Sequence, residues 1–263
     1  MPTPEPAAMG RRLCFEALSG IPEIRPGDAL APLIVGALAE NGSALGSDSI
    51  VVVAQKIVSK SEGRFAWLDE VIPSDKAREL AGITGKDARL VELTLSESTR
   101  VLRAVPGVLI VRHRLGYVMA NAGIDMSNVP GEAGRERALL LPLDPGASAA
   151  ALREALRLAT GQAVGVIVSD SFGRPWRNGV VNVALGSAGI PALIDRRGDT
   201  DRHGRTLQIT QTAFADAVAA GAAVVMGEGD EGMPVVIASG FMPAAPETDC
   251  RALVRPIDTD LFQ

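Results

Sequence analysis

Aromatic side chains make up only 3% of this 263-residue chain, so its core must be built from aliphatic residues. Cysteine is scarcer still. Cys14 and Cys250 stand alone near opposite ends with no CxxC spacing, which excludes a disulfide scaffold or thiolate metal centre and fits a reducing cytoplasm. The only histidines are His113 and His203, too few for a zinc site built on imidazoles. Any metal would therefore be held by oxygen, which favours Mg²⁺ or Mn²⁺. No stretch approaches the roughly 18 apolar residues of a membrane span, and the opening MPTPEPAAMGRR has no apolar segment of a secretory signal. A net charge of −5 supplies no basic field for nucleic acid. The expectation is a soluble cytoplasmic protein without nucleic-acid or membrane partners.

What is present is ordinary globular composition, 47% hydrophobic and 22% charged, enough for a sizeable core. Residues 1–10 carry three prolines and are expected to be disordered, leaving 11–263 as a single unit with room for two subdomains. One bias is informative. Of the 26 basic residues only Lys56, Lys60, Lys76 and Lys86 are lysines. A Lys56–Lys60 pair in one short motif therefore suggests a need for a compact ammonium.

Apolar runs at 13–18, 49–54, 108–111, 117–122, 139–143, 164–168, 222–226 and 235–238 read as strands. Helices are expected from Asp28 to about residue 40, through much of 75–103, after Ser148, and over 210–220, with Asp28 and Ser148 as caps and Asp144-Pro145-Gly146 as a turn. The alternation gives α/β or α+β with mixed sheets. Neither GxxxxGK[ST] nor GxGxxG occurs, so the fold is neither P-loop nor Rossmann.

Several apolar runs end in polar loops. One carries Lys56 and Lys60, one Asp125 and Asn128, one Asp170 and Ser171, and one Glu228. Taken singly, each has a bland explanation: a solvated lysine, an Asx turn at Asp125, an acidic Gly-rich turn at 227–232. Brought together, they would set a lysine against several oxygen ligands, the composition of a metal–nucleotide phosphate site. Arg174, Arg177 and the Arg196–Arg205 group could grip an anionic substrate, or simply pair with Asp195, Asp199 and Asp201.

The blocks GIPEIRPGD (20–28), AQKIVSKSEGR (54–64), GIDMSNVPG (123–131), SDSFGRPWRNG (169–179), DRRGDTDRHGR (195–205) and MGEGDEGMPVV (226–236) resemble the coenzyme F420:L-glutamate ligase family across nearly the whole chain. The resemblance implies GTP-dependent addition of L-glutamate to coenzyme F420-0 and extension of a γ-linked tail, in a homodimer using two divalent cations (Mn²⁺ or Mg²⁺) and K⁺. Some members add a flavin-binding domain; this chain stops at Gln263, so no FMN is expected.

Carried onto this sequence, Asp125 and Asp170 would bind one metal and Ser171 and Glu228 the second, with Asn128 on GTP. Ile21, Pro22, Glu23, Ile24, Gln55, Lys60 and the loop Met226, Gly227, Glu228, Gly229, Asp230, Glu231, Gly232 and Met233 would complete the nucleotide site. Asp125, Asp170 and Lys60 would act by positioning metal and phosphate, and Arg174, Arg177 and Arg202 would touch substrate. The chemistry is amide formation through an acyl phosphate. The alternatives are a related GTP-dependent ligase acting on another carboxylate cofactor, a metal-dependent phosphohydrolase, and a non-catalytic nucleotide-binding protein.

Overall fold

The computed structural model describes residues 11–129, 131 and 134–260, so the disorder expected for residues 1–10 lies outside the described residues. In chain order the elements are β1 (Cys14–Ala17), α1 (Leu30–Asn41), β2 (Ile50–Ala54), α2 (Gln55–Ser61), β3 (Phe65–Trp67), α3 (Asp75–Thr84), α4 (Ala88–Ser96), β4 (Ser98–Val105), β5 (Val108–His113) and β6 (Val118–Ala120). There follow β7 (Arg137–Leu139), α5 (Pro145–Thr160), β8 (Gly165–Arg174), β9 (Arg177–Ala188), β10 (Leu193–Asp195), β11 (Gln211–Ala213), α6 (Phe214–Met226) and β12 (Val235–Ser239).

The main sheet runs β1-β12-β2-β8-β9, with β2 and β8 parallel and the other pairs antiparallel. Strands covered on both faces need apolar residues at every position, and the IVVV run of β2 supplies them. Val51 and Val53 face a core shared with α1 and α5, while Ile50 and Val52 face α6. The sheet is therefore sandwiched between helices, in a mixed α/β architecture with neither a P-loop nor a Rossmann pattern. A smaller three-stranded sheet, β4-β5-β6, packs on α3 and α4 around Leu80, Val91, Leu109 and Val111. No helix among the described residues is long and apolar enough to cross a membrane.

Several sequence expectations are corrected. Residues 98–105 are not helical but form β4, which hairpins onto β5 through Gly107 (φ 79°). Its charged residues Arg100 and Arg103 lie on the exposed side while Val101 packs inward. Residues 222–226 are not a strand but the last turn of α6. Only Ala222 and Met226, four apart, face the core, and Val224 is 83% exposed; the run is continuous in sequence but amphipathic in space. Residues 210–213 precede that helix in part as strand β11. Asp28 accepts a hydrogen bond from the Arg25 amide (2.7 Å) rather than capping α1, whose first turn has no side-chain cap. Asp144, not Ser148, caps α5 by accepting from Ala147 N at 3.0 Å, and Pro145 begins the helix instead of a turn. Residues 55–61 form a helix rather than a polar loop. Of the expected strand at 139–143 only its first residue is strand, in β7.

The last correction matters most for function. The strand at 164–168 does not end before Ser169-Asp170; β8 continues to Arg174 and folds back as β9. Its parallel partner β2 stops at Ala54, opposite Ser169. Asp170 is thus the first residue of β8 beyond the sheet's parallel pairing. The β8–β9 register shifts between Val168 and Ser169, a local bulge of the kind that re-aims side chains beside a site.

Candidate active site

Where β8 outruns β2, a cavity of about 450 Å³ opens between five segments. Residues 21–24 form one wall, the start of α2 another, the Asp125–Asn128 turn a third, and residues 226–234 the fourth, with Ser169, Asp170, Ser171 and Asn182 forming the hairpin side. Every residue nominated above for metal or nucleotide lines this one space: Ile21, Pro22, Glu23, Ile24, Gln55, Lys60, Asp125, Asn128, Asp170, Ser171 and Met226 through Met233.

The two lysines arise from the helix that follows β2. Four residues apart, Lys56 and Lys60 lie on neighbouring turns of α2. Lys60 is 5% exposed and its ammonium donates to Glu23 Oε1 at 2.5 Å. Lys56 sits 2.7 Å from Asp125 Oδ2 and also donates to Ser127 O and Oγ. The β2–α2 junction thus delivers two ammonium groups to the mouth of a carboxylate-lined space.

Asp125 is held by a turn of its own making, accepting from Ser127 N (2.6 Å) and Ser127 Oγ (2.9 Å). The Asx turn is real, yet the same carboxylate lines the cavity. Burial opposes its charge, but Lys56 and the Ser127 amide outweigh burial and hold its pKa below the ordinary carboxylate range. Asp170 behaves in the opposite way. Burial pushes its pKa up to about 7; the Ser171 amide and Lys56 pull it down, while the charges of Asp125 and Glu228 push it further up. Burial is the leading cause of the rise at Asp170, and the neighbouring carboxylates add to it.

Glu228 follows α6 immediately after Gly227, whose φ of 79° turns the chain out of the helix. Beyond it Glu231 accepts from Gly229 N at 2.8 Å, folding the loop on itself. Gln55 is 3% exposed and its Oε1 accepts from Ser59 Oγ at 2.9 Å. Asn128 takes a left-handed conformation, φ 52°, one that asparagine tolerates better than most residues.

The donor set is chemically suited to hard divalent cations, since every cavity oxygen comes from carboxylate, hydroxyl, amide or backbone. No group of three His, Cys, Asp or Glu side chains among the described residues is placed to hold a metal by itself. The carboxylates fit instead the Mg²⁺ pattern in which one or two acids share the ion with ligand phosphates and neutral oxygens.

The arginines are placed elsewhere. Arg174, Arg177 and Arg202 do not line the cavity; Arg174 Nη2 donates to Asn178 O at 3.4 Å near the hairpin tip. In the second charge cluster, Arg197 pairs with Asp195 and Arg196 with Asp199 at 2.5 Å. Asp201 Oδ1 accepts from the His203 and Arg205 amides. Sequence reasoning missed Asn182 and Ser169 in the wall. Lys56 was signalled only by the scarcity of lysine. Asn182 had no local signal, because it reaches the site through strand pairing opposite Ser171.

Comparison with known proteins was then informative. The family model described as F420-0:Gamma-glutamyl ligase matches residues 20–240. A coenzyme F420:L-glutamate ligase of Methanothermobacter thermautotrophicus is 43% identical over 248 residues, covering 94% of this chain and 97% of the relative. One from Methanopyrus kandleri is 43% identical, covering 92% of this chain and 94% of the relative. One from Halobacterium salinarum is 44% identical over 86% of each.

Proposed function

The chain belongs to the F420-0:gamma-glutamyl ligase family, and we propose that it joins L-glutamate to coenzyme F420-0 and extends the γ-linked tail at the expense of GTP, in coenzyme F420 biosynthesis. The observation that supports this best is the convergence of Asp125, Asp170, Ser171, Glu228, Lys60 and the 226–233 loop on one cavity. A binding protein has no need of so many converging carboxylates.

The chemistry follows from the substrates. A carboxylate and an amine do not condense unaided in water, so the carboxylate must first gain a leaving group. Its oxygen attacks the γ-phosphorus of GTP, the β–γ bridging bond breaks, and GDP leaves. The amine nitrogen then attacks the acyl phosphate carbon, phosphate departs, and the amine loses a proton to solvent. The difficulty is the approach of two anions. Lys60, exchanging Glu23 for a phosphate oxygen, meets part of that charge. Asp125 and Asp170 would hold one divalent cation and Ser171 and Glu228 the other. Such ions, Mn²⁺ or Mg²⁺ together with K⁺, would supply charge neutralisation to the reacting phosphates. Residues 21–24, Gln55, Asn128 and the 226–233 loop then hold GTP, while Arg174, Arg177 and Arg202 meet the anionic tail where it leaves the cavity. In this reading residues 11–263 act as one catalytic unit within a cytoplasmic homodimer.

Incubation with GTP, Mn²⁺, L-glutamate and coenzyme F420-0 tests the reading by mass spectrometry. The coenzyme is expected to grow by whole glutamate residues, with one GDP released per addition. GTP turnover that is indifferent to glutamate, or GTP binding without turnover, would contradict it.

A further inference from the structure

Asn182 has no part in the roles considered so far, yet it occupies a singular place. It is 4% exposed and lines the cavity. Four buried side-chain polar atoms among the described residues lack a hydrogen-bond partner, and Asn182 Oδ1 alone of them belongs to the cavity wall. A buried amide oxygen without a partner is costly to a fold, and this one lies in the wall of a cavity that a ligand can enter.

Its neighbours indicate what that is. In the β8–β9 ladder Asn182 lies directly across from Ser171, and cross-strand partners put their side chains on the same face about 5 Å apart. At its other end, Asn182 Nδ2 lies 4.0 Å from Met226 Sδ. Met226 closes α6 two residues before Glu228. The amide therefore bridges the strand that carries Ser171 and the helix end that carries Glu228. With the nitrogen against the thioether, the oxygen is the free end of the amide.

Resting on the reading of Ser171 and Glu228 as metal-binding residues, we propose that Asn182 Oδ1 is a further oxygen ligand of the divalent cation they hold. Three acids are not placed to hold an ion here, so a hard cation needs neutral oxygens to complete its shell. Ser171 Oγ supplies one and Asn182 Oδ1 a second. A neutral amide adds a ligand without adding a further negative charge to a wall that already holds Asp125, Asp170 and Glu228.

The test uses full-length protein with GDP and titrates Mn²⁺ by electron paramagnetic resonance, comparing wild type with Asn182→Leu and Asn182→Asp. Asn182→Leu is expected to weaken one class of Mn²⁺ site by roughly tenfold or more, to leave the other unchanged, and to melt no lower than wild type without metal. Asn182→Asp, which retains an oxygen, is expected to bind at least as tightly as wild type, and it decides the matter should Asn182→Leu fail to fold. Mn²⁺ binding by Asn182→Leu equal to wild type overturns the inference, all the more so if KM for glutamate rises instead, since the oxygen would then serve the amine. Weakened binding by folded Asn182→Asp also overturns it. Wild type that binds no Mn²⁺ overturns the metal reading itself, and this inference with it.

Discussion

Two charged sites in this molecule, one around Glu97 and one in the cavity, have opposite charge balances. Glu97 is a single carboxylate served by several cationic or donor groups. Arg64 lies 3.1 Å from Oε1, Arg114 3.0 Å from Oε2, and the fully buried His113 Nε2 3.5 Å from Oε2. His113 Nδ1 accepts from Leu115 N, which leaves the ring proton on Nε2, towards Glu97. Burial would raise the Glu97 pKa, but His113 and the two arginines overcome burial and bring it down to about 2. The cavity reverses the ratio. Asp125, Asp170 and Glu228 have one nearby lysine, Lys56, ion-paired to Asp125, and burial, with the charges of Asp125 and Glu228 adding to it, raises Asp170 to about 7. Lys60, the other lysine in the wall, is engaged by Glu23.

The difference separates structure from function. Arg64 also donates to Leu141 O and Arg114 to Leu143 O, so the Glu97 cluster ties the end of α4 to the chain entering α5. Its charges are spent inside the fold. In the cavity Asp125 and Glu23 pair with lysines, but no ion pair among the described residues engages Asp170 or Glu228. A fold tolerates such a surplus where a positively charged ligand is to relieve it.

Asp170→Asn should bring out the contrast most sharply. If Asp170 positions a metal, ligation should fall by about a hundredfold or more in a steady-state assay. Metal-free Asp170→Asn should nevertheless be the more heat-resistant protein at pH 8. A folded pKa of about 7 lies above the ordinary aspartate value of 3.8, so ionised Asp170 opposes folding, increasingly as pH rises through that window. The gain in melting temperature should vanish near pH 4; a loss at pH 8 would break the comparison.

Glu97→Gln should do the reverse. The folded pKa, about 2, lies below the ordinary glutamate value of 4.5, so ionised Glu97 stabilises the fold above that value and the benefit disappears as pH falls through the interval. The substitution should cost about 3 kcal/mol at pH 7, lose its effect near pH 2, and leave turnover per folded molecule near wild type. Calorimetry across pH checks the first two, and an activity assay on the folded fraction checks the third.

Lys60→Met leaves the carboxylate surplus in place but removes a buried ammonium. GTP affinity should fall by about tenfold, read by calorimetric titration; unchanged affinity would make Lys60–Glu23 a structural pair like those around Glu97. The smallest effect belongs to Arg197→Ala, whose partner Asp195 shares an exposed surface pair. Stability should move by less than about 0.5 kcal/mol, with ligation unchanged.

Much of this was legible in sequence, for identifiable reasons. The strands β2, β8 and β12 were readable because burial on both faces demands an unbroken β-branched run. The cavity residues were readable as motifs because each sits where an element ends: Lys60 after β2, Asp125 at its turn, Glu228 past Gly227. The errors lie where tertiary contact decided the outcome. AAVVM is apolar in a row, yet α6 places Val224 in solvent. The β8 strand runs past Asp170 because β9 pairs with it far downstream. That pairing alone brings Asn182 to Ser171, and nothing local to Asn182 could announce it.

The most direct test of the central claim, that the carboxylate surplus is the seat of a metal, is Mn²⁺ binding in the presence of GDP at pH 5.5, 7 and 8.5. Metal binding must displace the Asp170 proton, so wild-type affinity should strengthen as pH rises through about 7, and Asp170→Asn should bind weakly at every pH. Affinity independent of pH, with Asp170→Asn binding as wild type does, would contradict the account.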